Sequence, residues 1–172
     1  MKLLFVGDSI THGHDWSAQI DFANVENIAV PGFTTDEVLG QVNDISRIEP
    51  DVISLLIGTN DFGNVLLDRT GEDVGDRVIS IIIAIKKALP NSKLVVNSIL
   101  PRSIEFSERI HTANSVIKSL NSVEFNYLDC WPALSENDFL NPNFLLDDGF
   151  DVHLSAAGYQ AWARVLLPVL KN

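Results

Sequence analysis

The chain has 172 residues, with 12 Lys and Arg against 23 Asp and Glu, a formal net charge of −11 and 46% hydrophobic residues. This length suits one domain, which we predict to span residues 1–172. A chain with this many apolar residues can form a hydrophobic core, and disorder is therefore not expected. A protein with this negative net charge repels phosphate backbones and anionic lipid, which argues against nucleic acid and membrane surfaces as partners.

The cysteine content and the length of the apolar segments indicate in which cellular compartment the protein is expected. Cys130 is the single cysteine, which excludes a disulfide within the chain and a zinc site built from cysteine pairs. No apolar segment of the sequence is long enough to cross a bilayer, and the run after Met1 is too short for a signal peptide. We therefore expect a cytoplasmic protein without stable membrane insertion, and no pattern specifies its oligomeric state.

Short apolar runs that end at glycine or proline, or lie between helical patterns, predict five β-strands, at residues 3–6, 28–30, 52–57, 94–99 and 125–128. Helical spacing of apolar residues predicts helices at 34–45, 74–89 and about 107–120, and a last one that begins after Ser155. Thr34 and Glu37 have the spacing of a capping box. Alternating strands and helices imply a parallel sheet covered on both faces, with ligands bound outside the carboxyl ends of its strands.

Candidate site residues follow the predicted strands in three places and precede the last helix in a fourth. Ser9 follows the first strand, Gly32 the second and Asn60 the third, whereas His153 stands just before the last helix. Each alone has a plain structural explanation, as a helix cap or a turn residue. Together they favour chemistry, because a histidine can take a proton from a serine hydroxyl when an acid such as Asp151, two residues away, fixes its tautomer.

The four blocks resemble the ordered Ser, Gly, Asn and His signature of the SGNH hydrolase superfamily, also called the GDSL esterase/lipase family. They read Gly7-Asp8-Ser9-Ile10, Gly32, Gly58-Thr59-Asn60-Asp61 and Asp151-Val152-His153-Leu154-Ser155. The resemblance implies a flavodoxin-like three-layer α/β/α sandwich around a five-stranded parallel sheet. It also implies Ser9 as nucleophile, His153 as general base, and an oxyanion hole formed by the backbone N–H groups of Ser9 and Gly32 and the side chain of Asn60. No metal or organic cofactor is implied.

The acidic partner of His153 departs from the family pattern. In many members the acid precedes the histidine by three residues, and Phe150 occupies that position here. Asp151 lies two residues before His153, a spacing found in some members, and Asp148 lies five before. We predict Asp151 as the acid, with Asp148 as the alternative and a backbone carbonyl as a third possibility.

Other titratable residues lie beside the motif blocks. His12, His14 and Asp15 follow the serine closely and could bind a metal, but their short spacing favours a place in the pocket wall. Asp8 and Asp61 flank site residues, and we interpret both as acceptors for N–H groups of the loops rather than as catalytic acids. We therefore predict no metal site.

The function predicted from these residues is hydrolysis of small acyl esters by a serine esterase, through an acyl-enzyme on Ser9. Acetylated sugars, lysophospholipids and short-chain esters or thioesters are all candidate substrates, and the short connecting loops contain no insertion large enough for a lid. The alternative is a non-catalytic small-molecule or carbohydrate-binding module that uses the same cleft. A nucleotide or phosphate binder is a third hypothesis, disfavoured because the chain lacks a phosphate-loop lysine and a GxGxxG turn.

Overall fold

A five-stranded parallel sheet forms the centre of the computed structural model, which describes residues 1–63, 66–67 and 69–171. The strands are β1 (Lys2–Gly7), β2 (Asn24–Asn27), β3 (Val52–Leu56), β4 (Lys93–Asn97) and β5 (Asn126–Leu128). They lie in the order β2-β1-β3-β4-β5, and each neighbouring pair is parallel. This is the strand order of the flavodoxin-like doubly wound fold, so the predicted fold class is confirmed.

Helices cover both faces of the sheet. In chain order they are α1 (Ser9–His12), α2 (Trp16–Gln19), α3 (Thr35–Gly40), α4 (Val42–Ile48), α5 (Thr59–Gly63), α6 (Gly71–Ala88), α7 (Ile104–Ser119), α8 (Trp131–Leu134) and α9 (Ala156–Lys171). A two-stranded hairpin, β6 (Ser135–Glu136) and β7 (Phe139–Leu140), and a 3₁₀ turn at Pro142–Phe144 precede α9. No helix in the described ranges is long and apolar enough to span a membrane.

The unbroken apolar run of β1 follows from burial on both faces of the sheet. Leu3 and Phe5 pack into a core with residues of α2 and α9, whereas Leu4 and Val6 pack into a second core with residues of α3, α4, α6 and α7. All four side chains are fully buried. Burial of each such side chain contributes about 1.5–3 kcal/mol, so β1 anchors both layers of helices.

The position of the second strand differs from the prediction. Residues 28–30 were expected to form it, but β2 is Asn24–Asn27, and its side chains are exposed or half-buried. Ile28 and Val30 still donate backbone hydrogen bonds to Phe5 and Gly7 of β1, at 3.0 and 3.1 Å. The prediction was wrong because β2 is an edge strand, to which the rule that buried strands are continuously apolar does not apply.

The predicted helix at 34–45 is divided into α3 and α4. Gly40 ends α3 and Gln41 links the two helices, which is consistent with the low helix propensity of glycine. The capping box at the start of α3 is confirmed, because Glu37 Oε2 accepts the backbone N–H of Thr34 at 2.8 Å. The predicted helices that correspond to α6, α7 and α9 are also confirmed.

Candidate active site

The turn that carries Ser9 is fixed by close packing at the carboxyl end of β1. A β-carbon on Gly7 would lie 2.3 Å from the carbonyl oxygen of Leu56 and 2.6 Å from Thr11 Oγ1, so a glycine is required there. Asp8 caps α1 by accepting the backbone N–H of Ile10 at 3.0 Å. Ser9, the first residue of α1, therefore has a half-buried side chain held at the edge of the sheet.

Ser9, His153 and Asp148 form a hydrogen-bonded series. Ser9 Oγ lies 3.1 Å from His153 Nε2, although the two residues are 144 positions apart in the chain. On the other side of the ring, His153 Nδ1 lies 2.6 Å from Asp148 Oδ2, and this hydrogen bond lowers the pKa of Asp148. With its proton on Nδ1, the imidazole presents Nε2 as an acceptor for the serine hydroxyl.

Among the described residues, Asp151 forms no hydrogen bond with His153, contrary to the prediction. Its carboxylate accepts hydrogen bonds from Arg102, from Nε at 3.1 Å and from Nη2 at 2.6 Å. It also accepts from the backbone N–H and the hydroxyl of Ser103, at 3.2 and 2.6 Å. The predicted pairing of Asp151 with His153 is therefore wrong, and the alternative residue, Asp148, takes that position.

A sharp turn explains how an acid five residues before the histidine reaches it. Gly149 has a φ of +86°, and Asp148 Oδ1 accepts the backbone N–H of Phe150 at 3.0 Å, so the chain folds back at this point. Leu146 donates its N–H to the carbonyl of His153 at 2.9 Å, which aligns the two sides of the loop. The Asp-Gly pair was the sequence signal for this turn.

Gly32 and Asn60 line the same cavity as Ser9. Gly32 has a φ of +83° and an exposed backbone, and Asn60 Nδ2 donates to the carbonyl oxygen of Phe33 at 2.9 Å. An amide nitrogen carries two hydrogens, so Asn60 keeps a second donor after this bond is made. Asp61 binds the backbone and hydroxyl of Thr35, at 3.0 and 2.6 Å, and so ties α5 to the turn that carries Gly32.

A cavity of about 660 Å³ joins these residues. It is lined by Ser9, Pro31, Gly32, Thr34, Asn60, Gly63, Leu66, Arg102, Phe150, Val152 and His153. The structure thus brings together four of the five predicted site residues, and it adds Arg102, which the sequence reasoning missed. The available signal for Arg102 was its place just after the fourth predicted strand, at the edge where such sheets bind ligands.

The environment of Asp8 differs from that of Asp148. Asp8 is fully buried, and within the described residues its Oδ2 has no hydrogen-bond partner. Burial raises the pKa of Asp8 to about 7, against the opposing effect of the hydrogen bond from Ile10. Asp8 and Asp61 both accept backbone N–H groups, as the sequence predicts.

The two histidines after Ser9 have structural partners. His12 Nδ1 lies 3.1 Å from the carbonyl oxygen of Ala29, and His14 Nε2 lies 2.8 Å from Gln19 Oε1. The ring of His14 also stacks on Tyr159, with centroids 4.7 Å apart. Neither histidine lines the cavity, so the predicted place in the pocket wall is wrong. The described part of the chain contains no group of three or more His, Cys, Asp or Glu side chains that could hold a metal.

Fold and site together define a class of protein. A serine, a histidine and an aspartate in series, next to an amide donor at the carboxyl edge of a doubly wound sheet, is the arrangement of a serine hydrolase. Residues 5–161 match the model of the GDSL-like lipase/acylhydrolase family. The chain therefore belongs to this family of ester hydrolases.

Similar proteins come from animals, bacteria and fungi. The human platelet-activating factor acetylhydrolase IB subunit alpha2 is 28% identical over an alignment 183 residues long, which covers 97% of this chain and 73% of that protein. Among solved structures, a GDSL-like lipase of Bacteroides thetaiotaomicron has a TM-score of 0.84 at 18% identity, covering 99% of this chain and 87% of that one. A carbohydrate esterase family 3 structure from Talaromyces cellulolyticus has a TM-score of 0.74 at 21% identity, covering 98% and 95%. At these identities, the two structures establish the shared fold.

Proposed function

We propose that this protein is a serine esterase that hydrolyses small acyl esters through an acyl-enzyme on Ser9. The observation that carries the proposal is the contact of Ser9 Oγ with His153 Nε2 at 3.1 Å, with Asp148 on the opposite ring nitrogen at 2.6 Å. A nucleophile, a base and an orienting acid in series are what acyl transfer requires. A site used only for binding has no need of this series.

In the first half of the reaction, Ser9 Oγ attacks the ester carbonyl carbon and its proton passes to His153 Nε2. The tetrahedral oxyanion accepts hydrogen bonds from the backbone N–H groups of Ser9 and Gly32 and from the side chain of Asn60. Asp148 stabilises the imidazolium that forms. The bond to the leaving oxygen then breaks, the alcohol takes the proton from His153, and the acyl group stays on Ser9.

In the second half, water attacks the acyl carbon and gives a proton to His153 Nε2. The bond between the carbon and Ser9 Oγ breaks, the serine regains the proton from His153, and the carboxylic acid leaves. The residues named need no metal or cofactor for these steps, because every proton that leaves one oxygen is returned to another through the same ring nitrogen.

Acetyl and short-chain esters are the substrates that we propose. The name of the human relative describes an acetylhydrolase, and this chain aligns with 73% of its length. The cavity is bordered by Pro31, Val152 and Phe150, and the Phe150 ring is 62% exposed, 5.3 Å from the imidazole of His153. These apolar side chains suit an uncharged acyl group or the apolar part of an alcohol next to the reacting carbonyl.

Hydrolysis of 4-nitrophenyl acetate by the native protein and by Ser9→Ala tests the proposal. We expect clear turnover by the native protein and a loss of about 10⁴-fold or more in the variant, because the nucleophile is removed. Ser17→Ala is a matched control, since Ser17 is exposed on α2 and bonds only to the neighbouring Asp15 at 2.6 Å among the contacts described. Equal rates in the native protein and in Ser9→Ala would reject the esterase and favour the binding module.

A further inference from the structure

Arg102 connects three segments at the carboxyl edge of the sheet. Its Nη1 donates to the carbonyl oxygen of Thr59 at 3.1 Å, and its Nε and Nη2 donate to the carboxylate of Asp151. Its guanidinium carbon lies 4.0 Å from the centroid of the Phe106 ring. The side chain is only 10% exposed, so these contacts hold it in one position under the cavity.

Asp151 is held as firmly as its partner. Together with the two bonds from Arg102, it receives the backbone N–H and the hydroxyl of Ser103, the residue before α7. Burial alone would raise the pKa of Asp151, but the hydrogen bonds from Arg102 and Ser103 lower it to about 2. The carboxylate is therefore ionised at neutral pH, and the pair is a charge-assisted bidentate contact.

The two residues that Arg102 binds, Thr59 and Asp151, each lie close in sequence to a site residue. Thr59 opens α5 and directly precedes Asn60, whereas Asp151 stands two residues before His153. Asn60 belongs to the proposed oxyanion hole and His153 is the proposed base, so both must reach the same ester carbonyl. Arg102 spans the gap between the segments that carry them.

We propose that the Arg102–Asp151 ion pair is a positioning element that sets the placement of His153 relative to Asn60 for the esterase reaction. The inference rests on the proposed function, but it assigns a role that the reaction scheme above does not use. Arg102 and Asp151 are positioning residues, because they act through Thr59 and the histidine loop rather than on the reacting atoms.

The physical basis is the cost of a small displacement at a reacting centre. A shift of about 1 Å in a positioned group can reduce the rate by roughly 10²-fold. Asp148, Gly149 and Phe150, which form the tip of the histidine loop, are exposed. Between this tip and His153, Val152 packs into the core and Asp151 makes the polar contacts. Loss of the Asp151 contacts therefore loosens the segment that carries the imidazole.

Kinetics of Asp151→Asn, Arg102→Met and the double variant test the proposal on 4-nitrophenyl acetate. We expect each single variant to lower kcat by about 10–100-fold with KM changed less than about 3-fold. The double variant should be no worse than the more impaired single variant, because the two residues act as a unit. Arg102→Lys should recover part of the loss, since a lysine keeps the charge but not the bidentate geometry.

A second readout does not depend on turnover. A proton held between His153 Nδ1 and Asp148 gives a low-field proton NMR resonance, assigned by its loss in His153→Gln. We expect this resonance to broaden or disappear in Asp151→Asn, while Asp147→Asn, which removes the same charge from an exposed position of the same loop, leaves both resonance and kcat unchanged. Asp151→Asn is nearly isosteric and still accepts from Ser103, so it also serves if Arg102→Met fails to fold.

Two results would overturn the inference. One is an unaltered resonance with kcat within about 2-fold of native in Asp151→Asn, which would make the ion pair purely structural. The other is a KM increase in Arg102→Met confined to esters with an anionic group, which would mean that Arg102 binds substrate directly. If the native protein itself has no esterase activity, the proposed function fails, and the NMR comparison still decides whether the ion pair positions His153.

Discussion

The turn that carries Ser9 and the loop that carries His153 reach the same cavity by different means. The serine turn is determined by neighbours in the core, because Gly7 packs against the backbone of β3 with no space for a β-carbon. The histidine loop has an exposed tip and depends on polar contacts over long sequence distances, such as that of Asp151 with Arg102, 49 residues away.

This difference indicates which kind of change each region tolerates. Apart from the nucleophile Ser9 itself, a substitution in the serine turn affects buried groups, so we expect its main effect on stability. A substitution in the histidine loop alters half-exposed polar groups, so we expect its main effect on the rate. Starting with the largest effect, the Asp148 and Asp8 variants below test this division, and the Asn60 variant measures the contribution of α5 for comparison.

Asp148→Asn should be the most damaging change in the histidine loop. We expect kcat to fall by about 10⁴-fold, because an amide can leave the imidazole in the wrong tautomer and does not stabilise its cation. The fall should exceed that of Asp151→Asn by at least about 10-fold. Steady-state kinetics of the two variants side by side measures the difference, and the reverse order would restore Asp151 as the acid.

Asn60→Ala should have a smaller effect on the rate. Removal of one oxyanion donor costs about 10²–10³-fold in kcat, and KM should change little because the donor acts mainly in the transition state. Asn60→Asp keeps the size of the side chain but places a carboxylate next to the developing oxyanion, so it should be at least as impaired. Activity of Asn60→Ala within 3-fold of native would remove Asn60 from the oxyanion hole.

Asp8→Asn should alter stability in the serine turn. Since burial raises the pKa of Asp8 to about 7 from 3.8, the folded state binds a proton more tightly than the unfolded state does. The contribution of Asp8 to stability is therefore greatest below pH 4 and is lost as pH rises to about 7. We expect the variant to lack this part of the pH dependence, about 1–3 kcal/mol in the free energy of unfolding.

Denaturant unfolding at pH 4.5 and pH 8 measures the Asp8 effect. Asp44→Asn is a suitable control, because it removes an acid from an exposed ion pair with Arg47 far from a buried environment. The control should keep the native pH dependence. An Asp8→Asn variant with the same pH dependence as native would contradict the raised pKa, and with it the idea that the serine turn contains a buried proton-binding group.

Much of the fold and the site could be predicted from the sequence. The strands β1, β3 and β4 lie where short apolar runs predict them, because a strand buried on both faces must be apolar throughout. The edge strand β5 was also found, although its residues are exposed or half-buried. The misplaced strand, β2, lies at the opposite edge, and its mostly exposed residues carry no apolar run. Ser9, Gly32 and Asn60 were identifiable because they follow strands whose carboxyl ends converge at one edge of the sheet. His153 was identifiable because it completes the ordered family signature that the sequence resembles.

The tertiary structure alone decided which acid binds His153. In the sequence, Asp151 is nearer to the histidine than Asp148, and sequence distance gave no reason to reject it. The direction of the Asp151 side chain is determined by Arg102 and Ser103, which the fold brings from the end of β4, while the turn at Gly149 directs Asp148 onto the ring. Burial and strand order follow from local pattern, but the partner of a charged side chain depends on which distant groups the fold places within hydrogen-bonding distance.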